Sequence, residues 1–538
     1  MTKKKLFIIL LSMLTLGTTL TACGKTEETQ KAAANSSHQT ILAEPFTVIA
    51  IPTECEPTVT TIPTECEPTE AGLPYSYVPK QSVTEKPKQA ATEKPTKAKR
   101  SATYTLSGNT LKIKGKGSLN ERELFDWARE NDFSLKEKVK SVVIENGITS
   151  IGDVFSGWES LISITIPDSV TEIIEDAFRD CKNLKGITIP AGVNTIGKYA
   201  FYRCENLTNV KISDSVTEIG NWVFEGCKSL TDIEVNPDNK NYSSENGVLF
   251  NKNKTTLIYC PIKKEGKNYT VPDSVTEIGR SAFHDCVNLT TVNIPYGVNV
   301  IGTWAFSYCD NLTTVNIPDS VTKIGLGAFT HCKKLTDITL SNNITVIDEE
   351  TFCYCEKLSS IAIPEGVTQI LYHAFSDCKS LTYIYIPASV TYIGGFRYLH
   401  GDNFDNLCNL ENIEISPNNN NYSSENGVLF DKNKTKLIRY PEGKKDKIYT
   451  IPDGVTKIGG SAFRCCDNLT TVNIPYGVTK IGGEAFAYCD NLTTVNIPDS
   501  VTEIWDSAFE KCPKLTNINL PAGCTKVRDE VFWGDIVC

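Results

Sequence analysis

Residues 294–316 read IPYGVNVIGTWAFSYCDNLTTVN, and residues 317–339 read IPDSVTKIGLGAFTHCKKLTDIT. Laid end to end, the two stretches keep Ile, Pro, Val, Ile-Gly, Ala-Phe, Cys and Leu-Thr at the same places. The hydrophobic period changes along each stretch. Leu312, Val315 and Ile317 alternate with Thr314 and Asn316, which is the pattern of a half-buried strand. Pro318 has no N–H to give to a ladder and ends it. Val321 and Ile324 mark a second, shorter extended piece, and Gly325 is placed for a turn. Ala328, Phe329 and Cys332 then carry the spacing of one helical turn.

The unit recurs outward from this pair in both directions. Units start at 143, 166, 189, 212, 235, 271, 294, 317, 340, 363, 386, 415, 451, 474, 497 and 520, and twelve of the sixteen are 23 residues long. The enlarged units are 235–270, 386–414 and 415–450. The decapeptide NYSSENGVLF stands at Asn241 and again at Asn421, so a block of several units is duplicated. One unit buries too little apolar surface to offset the entropy of ordering its own backbone, so units must stack and share a core. Parallel strands in adjacent units then complete each other's hydrogen bonds. The expected fold of 143–538 is an α/β repeat solenoid. It would be an arch about 75 Å long at strand spacing, with a parallel sheet on its concave face and short second strands and helical turns on the other side.

The pattern resembles the BspA-type leucine-rich repeats of bacterial surface proteins, whose units read like IPxxVTxIGxxAFxxCxxLTxVx, and the resemblance covers residues 143–538. It implies an extracellular binding or adhesion role toward host proteins or neighbouring cells, and it makes the 36-residue units look like the hairpin-bearing units of such arrays. Fold alone does not carry function.

Three segments precede the repeats. Residues 1–22 read as an export signal, with Lys3, Lys4 and Lys5 followed by an apolar run from Leu6 to about Leu16 that is too short to span a bilayer. Leu20-Thr21-Ala22-Cys23 resembles the lipobox of bacterial lipoproteins, which implies a lipid on Cys23 and an anchor in the cytoplasmic or outer membrane. Residues 23–100, with the anchor at their head, are rich in Thr, Pro, Lys, Glu and Ala and are expected to form a disordered tether, with ends roughly 50 Å apart as a coil. Residues 101–142 carry a hairpin signal around Gly108-Asn109 and a helical stretch near Trp127. They are placed to cap the first coil.

Composition excludes several functions. Net charge is −10 and falls to −13 once the three lysines of residues 1–22 are removed, which argues against nucleic acid as a partner. Of the twenty cysteines, eleven occupy one slot of the unit, among them Cys309, Cys332 and Cys355, and the unit at 143 fills that slot with Trp158. A slot that accepts Trp is a packing slot, so buried thiols are expected rather than disulfides or metal ligands. Cys353 with Cys355, and Cys465 with Cys466, lack the second pair a metal site needs. His284, His331 and His373 are scattered near the Ala-Phe turn with no nucleophile signature beside them, and no Gly-rich phosphate loop occurs. A carbohydrate-active β-helix would need clustered carboxylates on one strand face, and Asp232 with Glu234 is the only acidic pair there. No catalytic residue, metal or cofactor is expected.

The outward strand positions are mostly small and polar, as in Thr314 and Asn316. Tyr383 and Tyr385 break that ladder, and the enlarged unit after them adds Phe396, Arg397, Tyr398 and His400. Tyr and Arg dominate binding hot spots, so these six residues form the candidate binding surface for a host or bacterial surface protein or glycan. A structural spacer of the cell envelope is the alternative reading.

Overall fold

The computed structural model describes residues 101–131, 134–394 and 404–516, together with 518, 521–524 and 526–527. They form a repeat solenoid of parallel strands stacked in about 15 turns. In the coils around residues 294–339 each is tied to the next on three sides, whereas the first-side ladder lapses between Ser163–Thr165 and Gly186–Thr188 and again at 360–362. On the first side, Thr314–Asn316 pairs parallel and in register with Thr291–Asn293 before it and Asp337–Thr339 after it. Val315 is buried there while Thr314 and Asn316 face solvent. On the second side, Lys323–Ile324 pairs with Val300–Ile301.

The third side is the Ala-Phe turn, and its backbone is not a continued helix. The N–H groups of Ala305, Ser307 and Cys309 donate to the carbonyls of Gly302, Trp304 and Phe306 within the coil. The N–H groups of Trp304, Phe306 and Tyr308 donate to Leu326, Ala328 and Thr330 in the next coil, at 2.8–2.9 Å. Alternate amides thus face alternate ways, and the geometry requires left-handed φ of 55° at Trp304 and 59° at Tyr308. A third ladder therefore runs down the stack beside the two strand ladders. Gly325 opens the expected turn, its carbonyl accepting the Ala328 N–H at 3.1 Å, and it also serves a contact. A Cβ there would lie 2.6 Å from the Thr303 nitrogen of the preceding coil.

The polar residues of the unit reinforce this stacking, because most donate one coil back. Thr313 Oγ1 donates to the Thr290 carbonyl at 3.0 Å, Ser320 Oγ to Val298 at 2.8 Å, and Asn311 Nδ2 to Val287 at 2.6 Å. The cysteine column does the same from inside the core. Cys309, Cys332 and Cys355 donate their S–H to the carbonyls of Phe283, Phe306 and Phe329 at 3.0–3.2 Å. Burial pushes these thiols above their ordinary range, which keeps them protonated as donors. Among the described residues every such cysteine is free.

Beside the thiols runs a column of phenylalanines. Phe283, Phe306, Phe329, Phe352 and Phe375 stack near-parallel with centroids 5.0–5.8 Å apart, all fully buried. A parallel offset stack is the arrangement a repeated ring must adopt when each coil copies the last.

The first coil is covered by the hairpin Ala102–Ser107 and Thr110–Gly115 and the helix Glu121–Glu130. Thr110–Gly115 pairs parallel with Ser141–Ile144, so the hairpin is the first rung of the ladder. Leu124 and Ala128 of the helix join the same core as Phe155 and Trp158. Asn120 caps the helix by accepting the Glu123 N–H at 3.2 Å.

The two NYSSENGVLF segments form hairpins, Tyr242–Glu245 with Val248–Asn251 and Tyr422–Glu425 with Val428–Asp431. Their inner strands are buried on both faces. Leu249 packs into the core that precedes it, while Val248 and Phe250 pack into the one that follows. Leu429, Val428 and Phe430 divide in the same way. Each hairpin is a septum that closes one core segment and floors the next. Both are locked by a buried asparagine: Asn239 and Asn419 each donate twice to backbone carbonyls of the preceding coil and accept two amides of their own hairpin.

Phe329→Ala is expected to cost about 3–5 kcal/mol in denaturant unfolding of the full chain, whereas Cys332→Ala should cost about 1–2 kcal/mol. The column thiols should resist labelling in the native protein and react after unfolding without reductant. Paired thiols, or equal costs for the two substitutions, would contradict this packing.

Candidate binding surface

Tyr383 and Tyr385 lie on the strand Tyr383–Ile386, which pairs parallel with Asn412–Ile415, placing Tyr383 opposite Asn412 and Tyr385 opposite Glu414. Ile384 and Ile386 point into the core, so the two rings share the outer face. Tyr383 is 40% exposed, and its hydroxyl donates to Glu414 Oε2 at 2.7 Å. Partial burial, then this bond, push the Tyr383 phenol up to about 12, so it stays protonated and the carboxylate is held in place. The other candidates from the enlarged unit, Phe396, Arg397, Tyr398 and His400, lie outside the described residues, as does Cys23.

The strand Asn412–Ile415 is the last rung of its ladder because the second hairpin crosses its free edge. Ile413 N–H donates to the Gly427 carbonyl at 3.0 Å and Ile415 N–H to Ser424 Oγ at 3.0 Å. The hairpin turn at Asn426 and Gly427 adopts φ of 50° and 80°, the left-handed pair of a tight β-turn. Beneath it opens a cleft of about 590 Å³ lined by Glu411, Asn412, Glu414, Asn426, Lys444 and Lys445 among others; the tyrosines do not line it but adjoin it through Glu414, which holds the Tyr383 hydroxyl. Its lysines are already engaged, Lys444 standing 3.6 Å from Asp446. Lys445 stands 3.6 Å from Glu411, and Lys444 donates to the Asn426 carbonyl at 2.9 Å.

The first hairpin repeats this framework without the aromatic rings. Asn209 and Lys211 stand where Tyr383 and Tyr385 stand in the second, opposite Asp232 and Glu234, and Lys211 pairs with Glu234 at 2.9 Å. The Asp232 and Glu234 pair is therefore one side of an exposed ion-paired strand face.

A second set of side chains escaped the strand-based reading. On the turn side the left-handed residues before Ala and before Cys point outward and stack. Tyr199 lies on Trp222 at 5.3 Å, and Tyr308, His331 and Tyr354 form a three-ring stack at 4.4 and 4.2 Å. Arg280 sits over both Trp222 and Trp304. The signal was present in two columns of the repeat, but the hydrophobic pattern does not pick them out.

Nearby, Ser307 Oγ lies 2.5 Å from His284 Nδ1, and His284 Nε2 lies 3.6 Å from Glu225. Three such groups in a row suggest nucleophilic chemistry. Ser307 is buried, however, and its hydroxyl donates to the Trp304 carbonyl, so no substrate reaches it. The second block holds a different buried group: Asp405, Arg439, Glu442, Arg464 and Glu484 join through contacts of 2.5–3.8 Å. No group of three or more potential ligands that could hold a metal ion is found among the described residues.

The model of the BspA type leucine rich repeat region (6 copies) matches residues 128–256, 276–399, 345–446 and 442–536. The chain belongs to this family. Similar solved structures include a leucine-rich repeat protein from Eubacterium ventriosum, at 22% identity over 74% of this chain and 94% of that one, with a TM-score of 0.47. A leucine rich cell surface protein from Faecalibacterium prausnitzii is 24% identical over 82% and 87%, with a TM-score of 0.40. A leucine-rich repeat protein from Bacteroides ovatus is 24% identical over 81% and 98%, with a TM-score of 0.37. No curated protein matches.

The Glu225 and His284 pair yields a pH prediction. Burial, then the nearby Asp285, raise the Glu225 carboxyl to about 7, while burial lowers His284 to about 4. The fold favours both groups neutral. The Glu225 contribution is complete below its ordinary value of 4.5 and is lost as pH rises toward 7. The His284 contribution is complete above 6.5 and is lost as pH falls toward 4. Glu225→Gln should therefore flatten the alkaline limb, gaining on the order of 2 kcal/mol at pH 8 relative to acid, and leave the acid limb in place. Thermal melts across pH decide it, and an unchanged alkaline limb would contradict the burial account.

Proposed function

We propose that this chain is a lipid-anchored cell-surface protein that binds host or neighbouring-cell macromolecules through its solenoid rather than catalysing a reaction. The observation that carries the reading is the aromatic break at Tyr383 and Tyr385 in an otherwise polar strand face, set beside the cleft under the second hairpin. A repeat surface offers many weak polar contacts, and useful affinity needs a few large side chains that exclude water. Membership of a leucine-rich-repeat family supports a non-enzymatic role. No helix among the described residues is long and apolar enough to cross a membrane. In this reading Cys23 carries the lipid and the following segment holds the solenoid away from the envelope. More than one acyl chain is needed for firm anchoring.

Two experiments test these statements separately. Cys23→Ala should abolish lipid labelling and release the chain from the membrane fraction, and unchanged labelling would refute the anchor. Cells displaying the full chain should attach to immobilised matrix proteins or to neighbouring bacteria. Tyr383→Ala with Tyr385→Ala should weaken that attachment by roughly tenfold or more. Thr314→Ala with Asn316→Ala should leave it nearly unchanged. Equal losses from both pairs would remove the tyrosines from the site, and attachment by neither parent nor variant would leave the spacer role.

A further inference from the structure

We infer that the cleft beneath the second hairpin binds a neutral oligosaccharide, with Tyr383 and Tyr385 as its stacking platform. The inference rests on the binding role proposed above and gives that site a ligand class.

Three features of the cleft point to this chemistry. Its lining carries carboxylate, amide and ammonium groups from Glu411, Glu414, Asn412, Asn426, Lys444 and Lys445. A sugar brings a dense set of hydroxyls that both donate and accept, which suits such a lining. The second feature is charge. Lys445 faces Glu411 at 3.6 Å and Lys444 faces Asp446 at 3.6 Å, so the cleft offers an anion no lysine that is not already beside a carboxylate. A sulfated or carboxylated chain would meet Glu414 at the tyrosine edge, where a like charge is repelled. A neutral chain meets no such cost.

The third feature is the rings themselves. Tyr383 and Tyr385 stand two residues apart on one strand face, and the Tyr383 hydroxyl is tied to Glu414. That bond fixes the ring beside the cleft and leaves the second carboxylate oxygen as an acceptor for a ligand hydroxyl. An aromatic ring next to carboxylate and amide groups offers an apolar face to the C–H side of a pyranose and acceptors to its hydroxyls. At about 590 Å³ the cleft is of the size of a small-ligand site rather than a macromolecular interface. The first hairpin provides an internal comparison. It keeps the framework but replaces the rings with Asn209 and Lys211, the latter ion-paired to Glu234, so it lacks the platform.

The test uses the purified full chain against three immobilised probes. These are short neutral hexose and N-acetylhexosamine oligosaccharides, their sulfated counterparts, and matrix proteins stripped of glycans. The parent chain should retain neutral oligosaccharides. Tyr383→Ala with Tyr385→Ala should lower that retention by roughly tenfold or more, with Glu414→Gln weakening it and Lys211→Ala leaving it unchanged. Circular dichroism checks that each variant keeps its fold, and Tyr383→Phe separates ring from hydroxyl: it should keep most stacking affinity. Retention of sulfated chains alone would overturn the neutral assignment. Binding of stripped proteins with the same loss in the tyrosine variant would overturn the glycan assignment and leave the binding role standing. Neutral binding that ignores the tyrosine changes would overturn the site, and no retention of any probe would overturn the inference and its premise together.

Discussion

Each coil of this protein satisfies much of its backbone and polar side-chain hydrogen bonding through its neighbours. The strand amides, the turn amides of the Ala-Phe segment, the Thr and Ser hydroxyls and the column thiols all reach carbonyls in adjacent coils. The same offset brings phenylalanine onto phenylalanine at 5.0–5.8 Å through the middle of the array. Removing one coil from this arrangement would orphan donors on one side and acceptors on the other, and buried groups of that kind are costly. This constraint explains why polar residues recur as faithfully as apolar ones in the unit. It also explains why cysteine serves at its slot: a small apolar group that can still donate fits both demands.

The hairpin septa limit how far the constraint propagates. Leu249 and Leu429 look into the core segment before each septum, while Phe250 and Phe430 look into the one after. A block bounded by septa is closed at its end, which fits the duplication of the block with its hairpin as one piece. The two copies then diverged at buried polar positions. Where the first block has Glu225, Tyr259, Ile262 and His284, the second has Asp405, Arg439, Glu442 and Arg464. A fully buried arginine is tolerable only beside acids, and Asp405 and Glu442 accompany it. The septa also end the strand ladders, and the cleft beside Tyr383 exists because the second one does so.

Features that repeat locally were legible in the sequence. The alternation of Leu312, Thr314 and Val315 reported a strand, and the slot shared by Trp158 and the cysteines reported burial. Features that depend on the offset between coils were not. Gly325 opens a turn as its local sequence indicates, but the close approach that demands a glycine there comes from Thr303 of the coil before it. The stacks of Tyr308, His331 and Tyr354 emerge only when the positions before Ala and before Cys are read down the array. The tyrosine pair stood out as an exception to its column. The cleft could not be read, because Asn426, Lys444 and Lys445 are brought to Glu414 by a hairpin whose crossing point no periodicity encodes.

The central claim is that stability passes from coil to coil through this register. Native-state hydrogen exchange on the full chain, comparing the parent with Phe329→Ala, tests it most directly. The account predicts that protection falls in the mutated coil 317–339 and in the coils 294–316 and 340–362 on either side, and is retained beyond the septum at Val248–Asn251. Loss confined to residues 317–339, or an even loss along all the described coils, would contradict it.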